Sequence, residues 1–178
     1  EATPELSLGG AKRASNGADD LSLVYQALDP DTSWQVASFQ FAENQDEVEA
    51  MKRDFANGGL FVSTTVADKY NLKRGDTLEL ETRRGVQPFL VAGLVSDFTG
   101  QGFVVNGTLE VMRRYFGLSD VDRFTLKLSP GVDVAATKQL IEDRFGASRH
   151  LQVETTDSFR NRIRELTNRA FSLLDVLA

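Results

Sequence analysis

The chain has 178 residues, and its 20 Lys and Arg against 26 Asp and Glu give a net charge of −6. This length, with 41% hydrophobic residues, is typical of one globular domain and excludes collagen-like, mucin-like and disordered chains. The acidic balance argues against a general nucleic-acid-binding protein, which needs a basic face. The absence of cysteine excludes zinc–cysteine sites, thiol nucleophiles and disulfides.

The first part of the chain predicts a tail and then alternating strands and helices. Residues 1–20 contain Gly-Gly and Asn-Gly pairs without an apolar period, so we predict a flexible N-terminal segment. Leu21–Leu28 is mostly apolar and ends at an Asp-Pro-Asp turn, which indicates a strand. Residues 34–41 are open between a second strand and an irregular stretch. Helical spacing of apolar residues over Gln45–Phe55 predicts a helix that stops at Asn-Gly-Gly.

The next region of the chain is richer in predicted strands. We predict a short strand at Leu60–Ser63 and a short helix ending near Tyr70, with Thr64 or Thr65 as its N-cap. Leu and polar residues alternate over Thr77–Thr82, and Arg83-Arg84-Gly85 turns the chain into Val86–Val95. This pattern predicts a β-hairpin with one solvated side, the start of a β-rich insertion at about 77–106.

The second half returns to mixed strands and helices. We predict strands at Asp122–Leu128 and Leu151–Thr155, and helices that begin near Thr108, Asp133 and Thr156. The whole pattern predicts an α+β fold: two βα-type halves form a mixed sheet with helices on one face, and a small β-rich subdomain is inserted. The predicted body is 21–155, followed by a C-terminal helix at 156–178.

The C-terminal helix has the most specific apolar pattern in the chain. Its apolar residues repeat with spacings of three and four, which is the seam of a helix that packs against a partner helix or a sheet. We predict the following as stalk or coupling residues: Phe159, Ile163, Leu166, Ala170 and Leu173. The helix becomes more apolar towards Ala178 without a cap, Gly or Pro, so we expect it to lead to a membrane span. The alternative is an amphipathic helix that lies on its own sheet.

The sequence contains no convincing catalytic or cofactor motif. His150 is the single histidine, and a Ser-His-Asp triad would require an arbitrary choice among many Ser and Asp residues. Gly100-Gln101-Gly102 lacks the third Gly and the helix of a dinucleotide loop, so it predicts a turn. We therefore expect no enzyme, no cofactor and no metal site.

One stretch, residues 59–97, resembles a known family. The matching positions are Val62-Ser63, Ala67, Leu72, Gly75-Asp76, Leu78, Leu80, Thr82, Gly85, Phe89, Val91, Gly93 and Asp97. They are similar to a pattern of the extracytoplasmic domains of FtsX/MacB-type ABC transporter permeases. Leu126–Asp133 resembles the strand-to-helix step of that family, and Thr155–Ala178 resembles the helix that runs into the next membrane span.

The resemblance implies an extracytoplasmic domain of a bacterial membrane protein, in the periplasm or at the cell exterior. The family's permeases dimerise with a second permease subunit, pair with a cytoplasmic ATPase, and often transmit ATP-driven motion. A protein, lipoprotein or peptide would be the extracytoplasmic partner or cargo. The chain has no Walker motif, so ATP hydrolysis would belong to another subunit.

Two other interpretations use the same residues. The Gly-Asp pattern also occurs in double-psi β-barrels, which would make the chain a ligand-binding module. A free-standing periplasmic binding domain for a lipid or peptide is the other alternative, and it requires a capped final helix.

Overall fold

The computed structural model describes residues 1–13, 22–42, 45–97, 99–146, 148, 151–162 and 164–165. These residues fall into two units, Glu1–Lys127 and Leu128–Ala178. Within the described part, no helix has the length and apolar character needed to cross a bilayer.

Unit 1 is built on a seven-stranded mixed sheet. Its strands are β1 (Ala2–Lys12), β2 (Ser22–Leu28), β3 (Leu60–Ser63), β4 (Thr77–Thr82), β5 (Gly85–Val95), β6 (Val104–Thr108) and β7 (Arg123–Leu126). They lie in the order β4-β5-β3-β6-β2-β1-β7. The pairs β2–β6 and β3–β5 are parallel and the other pairs are antiparallel. The predicted α+β class with a mixed sheet is confirmed, and the β-rich insertion belongs to this same sheet.

The helices are short. They are α1 (Ser33–Val36), α2 (Val48–Ala56), α3 (Thr64–Tyr70), α4 (Leu109–Val111) and, in unit 2, α5 (Val134–Ile141). A 3-10 turn, Gln45–Glu47, precedes α2, and π turns extend α4 through Phe116 and α5 through Gly146. Residues 156–162 and 164–165 are helical as well. Residues 34–41, left open by the sequence, are a helical turn followed by irregular chain.

Side chains cap three of the five numbered helices. The Thr108 hydroxyl accepts the Val111 N–H at the start of α4, and an Asp133 carboxylate oxygen accepts two N–H groups of α5, as the sequence predicted. The cap of α3 is Ser63, whose hydroxyl accepts the Val66 N–H, rather than Thr64 or Thr65. Ser63 has the extended backbone that an N-cap requires (ψ 149°), whereas Thr64 is already helical.

Two clusters of buried side chains cover opposite faces of the sheet. Leu60 and Val62 of β3 face the main core with α3 and α4, whereas Phe61 between them faces the aromatic core with α2. The aromatic core consists of Leu28, Met51, Phe55, Phe61, Ala92 and Val95, with Trp34, Phe39 and Phe41 packed against it. Helices therefore lie on both faces of the sheet, where the sequence predicted one face. Each large side chain buried here contributes roughly 1.5–3 kcal/mol.

Two predictions about strands are corrected. The predicted flexible segment 1–20 contains β1, which pairs with β2 and β7 on its two sides. A register shift between Gly9 and Ala11 breaks its alternation, so its buried apolar residues Leu6 and Ala11 show no period of two. Residues 151–155, predicted to be a strand, have no regular secondary structure.

Candidate functional site

The Gly-Asp turn before β4 is held by its own backbone. Gly75 has a φ of 90°, a conformation that favours glycine. Its N–H donates to the Val91 carbonyl at 2.9 Å, and the Val91 N–H donates to the Asp76 carbonyl at 2.8 Å. The Asp76 carboxylate accepts the Lys73 N–H at 2.8 Å. These hydrogen bonds hold the turn next to Val91, so that β4 starts beside β5. Gly75 and Asp76 therefore have a structural role.

Arg74 joins this turn to α2. Its Nε donates to the Ala92 carbonyl at 3.1 Å, Nη2 lies 3.3 Å from an Asp54 carboxylate oxygen, and Nη1 pairs with Glu47. The side chain is three-quarters buried. One guanidinium therefore connects the hairpin, the 3-10 turn and α2.

Tyr25 and Gly107 fit one another in the main core. A Cβ atom on Gly107 would overlap the Tyr25 phenol, with 2.6 Å to its Cζ and 2.9 Å to Leu60 Cδ2. The Tyr25 hydroxyl is buried without a hydrogen-bond partner, and burial raises the pKa of Tyr25 well above its ordinary value of 10.0.

A groove of about 700 Å³ lies beside the aromatic core. Its lining includes Trp34, Phe39, Phe41 and Lys52. Trp34 contacts Phe55 edge-on at 5.7 Å, and Lys52 Nζ lies 5.4 Å from the Trp34 ring centroid. Lys52 is already paired with Glu49 at 2.7 Å. The lysine that lines this groove is thus already paired with a carboxylate of the chain itself.

The β4–β5 turn and the end of α4 each carry two exposed arginines, and Arg83 connects the two elements. The Arg83 N–H donates to the Tyr115 carbonyl at 3.0 Å, and Arg83 Nη1 lies 3.4 Å from the Gly117 carbonyl. We call Arg83, Arg84, Arg113 and Arg114 the basic surface; all four are exposed. The local sequence predicts only a turn at Arg83-Arg84, because the approach of α4 is a long-range contact.

Of the predicted coupling residues, the structure describes only Phe159. This side chain is 48% exposed, and the Arg162 guanidinium lies 5.5 Å from its ring centroid. The helix begins at residue 156 as predicted, and the Thr155 hydroxyl accepts the Ser158 N–H at 3.1 Å. Ile163, Leu166, Ala170 and Leu173 lie outside the described residues, so the seam stays a prediction.

Among the described residues, no cluster of three or more His, Cys, Asp or Glu side chains could hold a metal ion. His150 lies outside the described residues.

Comparison with known proteins identifies related domains. A family model described as the MacB-like periplasmic core domain matches residues 1–144. No curated protein sequence matches the chain. The sheet order and this family match are not those of a double-psi β-barrel, so that alternative is wrong.

Three solved structures have a similar fold. The periplasmic region of MacB from Actinobacillus actinomycetemcomitans has a TM-score of 0.62 and 16% identity, over 92% of this chain and 75% of that one. The extracellular domain of the noncanonic ABC-type transporter YknZ from Gram-positive bacteria has a TM-score of 0.55 and 14% identity, over 82% and 76%. A domain of a putative permease protein from Porphyromonas gingivalis has a TM-score of 0.53 and 14% identity, over 86% and 65%.

Proposed function

Because the chain belongs to the family of MacB-like periplasmic core domains, we propose that it transmits ATP-driven motion to a partner or cargo outside the membrane. It is the extracytoplasmic part of an ABC transporter permease. In this proposal a second permease subunit and a cytoplasmic ATPase complete the transporter. The domain itself has a mechanical and docking role rather than a catalytic one.

The observation that supports this proposal most is the position of the two ends of unit 1. The Glu1 amino group donates to the Lys127 carbonyl at 3.0 Å, and the Lys127 N–H donates to the Glu1 carbonyl at 2.9 Å. The chain therefore enters and leaves unit 1 on adjacent strands, β1 and β7. If the domain is inserted between two membrane-linked segments, this arrangement lets both segments move one edge of the sheet.

The sheet is suited to move as a rigid body. β1 is eleven residues long and hydrogen-bonds to β2 and β7. The end of β1 also reaches β4, through a bridge between Arg13 and Leu80. Displacement of the β1–β7 edge would thus reach the opposite edge strand through backbone hydrogen bonds and packed side chains.

The seam variants test this proposal. Phe159→Ala, Ile163→Ala, Leu166→Ala and Leu173→Ala are introduced singly, with Leu140→Ala, an exposed apolar position of α5, as the control. If the seam is a stalk, the free energy of unfolding of the chain changes by less than about 0.5 kcal/mol, and ATP-driven transport by the intact transporter falls. A loss of about 2–5 kcal/mol in every seam variant would mean that these side chains are core, and the proposal would fail.

A further inference from the structure

The two edges of the seven-stranded sheet differ. At one edge, β4 meets the end of β1 through the bridge between Arg13 and Leu80. At the other edge, β7 pairs with β1 on its inner side, and no strand among the described residues pairs with its outer side. Phe124 and Leu126 of β7 are 60% and 47% exposed, so their side chains are also largely uncovered. The β7 edge is therefore open to a further strand.

The ladder between β1 and β7 shows which backbone groups point outward from this edge. Lys127 exchanges two hydrogen bonds with the first residue of the chain, at 3.0 and 2.9 Å. Because bonded and non-bonded pairs alternate along an antiparallel ladder, Thr125 belongs to the next bonded pair, whereas Phe124 and Leu126 lie in non-bonded pairs. The N–H and C=O groups of Phe124 and Leu126 thus point away from β1.

One face of this edge is apolar. Phe124 and Leu126 lie opposite Pro4 and Ala2 of β1. Two positions further along β1, Leu6 belongs to the main core, and alternate residues of a strand share one face of a sheet. The apolar side chains at the β7 edge therefore continue the face of the sheet that carries the main core.

The opposite face of the edge is polar. The Thr125 hydroxyl donates to the Glu5 carboxylate, Arg123 Nη1 lies 3.7 Å from the other Glu5 carboxylate oxygen, and Lys127 Nζ donates to the Gln35 carbonyl at 3.0 Å. The Arg123 side chain is still 58% exposed, and Lys127 is exposed as well. Two exposed cations therefore flank Thr125 on this face.

These features distinguish between three classes of occupant. Lipid acyl chains would cover Phe124 and Leu126 but would leave their outward N–H and C=O groups without partners, which costs free energy. A second copy of the chain, in the longest antiparallel register, would place Arg123 opposite Lys127 of that copy, and like charges in this position are destabilising. A strand of a different protein, with apolar and acidic residues in alternation, satisfies the backbone groups, the apolar face and the cations together.

Resting on the docking role proposed above, we propose that a partner protein adds an antiparallel strand to the outer edge of β7. Its apolar side chains lie beside Phe124 and Leu126, and its acidic side chains lie beside Arg123 and Lys127 on the other face. The chain enters and leaves unit 1 at this same edge. Motion of the edge therefore reaches the partner directly.

Peptides test the backbone pairing without a change in the protein. The probe is a fluorescein-labelled peptide of alternating valine and glutamate, and fluorescence anisotropy measures its binding. With the valines opposite Phe124 and Leu126, the valine N–H groups donate to β7 and the glutamate N–H groups point to solvent. N-methylation of the valines should therefore weaken binding at least about tenfold, whereas N-methylation of the glutamates should change it by less than about threefold. Equal affinity of the two methylated peptides would overturn the proposal.

Matched variants at Phe124 test the same contact from the side of the protein. Phe124→Pro removes an N–H that is not bonded to β1, whereas Phe124→Ala keeps it, and thermal unfolding checks that both are folded. We expect the proline variant to bind the unmethylated peptide at least about tenfold more weakly than the wild type, and the alanine variant about threefold more weakly. Val86→Ala, at an exposed apolar position of β5, should stay within about twofold. Equal affinity of the proline and alanine variants would contradict the backbone pairing.

Amide hydrogen exchange, measured by NMR on the wild-type chain, locates the bound peptide. In the free chain the Thr125 N–H should be protected, and the N–H groups of Phe124 and Leu126 should exchange freely. Saturating peptide should slow exchange at these two groups at least about tenfold. Unchanged exchange there would overturn the proposal, as would no binding at chain concentrations up to about 1 mM. Self-association of the chain that Phe124→Pro abolishes would assign the edge to a second copy instead.

The two proposals can fail separately. Peptide binding and amide exchange are measured on the chain, whereas the seam variants are measured by transport. Peptide binding that persists in the seam variants while transport falls would support both proposals. A fall in transport without peptide binding to the wild-type chain would refute the β7 docking edge alone.

Discussion

At the residue scale, the main core depends on the fit between Tyr25 of β2 and Gly107 of β6. These strands pair in parallel, and the Tyr25 ring also packs against Phe116 at 5.1 Å. Gly107 leaves the space that the phenol fills. The absent Cβ of Gly107 is therefore part of the packing of the sheet.

Gly107→Ala should destabilise the chain by about 1–3 kcal/mol, because its methyl group overlaps the Tyr25 phenol and the core must shift. Urea denaturation measures the change in the free energy of unfolding. Gly9→Ala is the matched control in β1, since no atom lies within 4 Å of its added Cβ. Equal stability of the two variants would contradict this packing.

Tyr25→Phe should leave stability at neutral pH unchanged or raise it by up to about 1 kcal/mol, because the lost hydroxyl is buried without a partner. Burial raises the pKa of Tyr25 in the folded state, so above pH 10 the unfolded chain ionises first and is stabilised. As the pH rises above 10, the free energy of unfolding of the wild-type chain should therefore fall more steeply than that of the variant. The difference between the two slopes should be about 1.4 kcal/mol per pH unit. Urea denaturation over this pH range measures both slopes, and parallel slopes would exclude a buried neutral Tyr25.

At the element scale, the hairpin and α2 are coupled through Arg74. The side chain bonds to Ala92 of β5, to Glu47 before α2 and to Asp54 within it. Met51 and Phe55 of α2 pack against Ala92 and Val95 of the hairpin strand β5, so this partly buried arginine fixes the position of α2 relative to the hairpin.

Arg74→Ala should lower the free energy of unfolding by about 1–3 kcal/mol, because a carbonyl and two carboxylates lose a charged donor. Arg53→Ala, an exposed position on α2, should change it by less than about 0.5 kcal/mol. Chemical denaturation of both variants gives the comparison. Similar values would show that the Arg74 network is a solvated surface contact.

Local signals predict the elements well where those signals are regular. The hairpin, the Thr108 and Asp133 caps and the short strand β3 follow from alternation, polar caps and glycine stops. β1 could not be predicted, because a bulge and three residues with low strand preference, Pro4, Gly9 and Gly10, hide its alternation. β5 also changes phase: Val91 faces the main core and Val95 the aromatic core, after a register shift opposite Leu60 and Phe61.

At the scale of the whole molecule, the fold class and family could be predicted because the motif residues lie in one continuous stretch, 59–97. The aromatic core and the basic surface join residues far apart in sequence. Trp34 meets Phe61, and Arg83 meets Gly117. No local period encodes these contacts, so the sequence could predict the fold of the domain but not its aromatic core or its basic surface.

The central claim is that the sheet of unit 1 moves as a rigid body. The chain has no cysteine, so Ala2→Cys with Leu126→Cys, a cross-strand pair of β1 and β7, places a single disulfide at the edge where motion enters. In an intact transporter without other cysteines, ATP-driven transport should be equal within about twofold whether the pair is oxidised or reduced, because a rigid edge does not open. Loss of transport on oxidation, restored by a reductant and absent in either single variant, would show that the domain works by opening this edge and would contradict the claim.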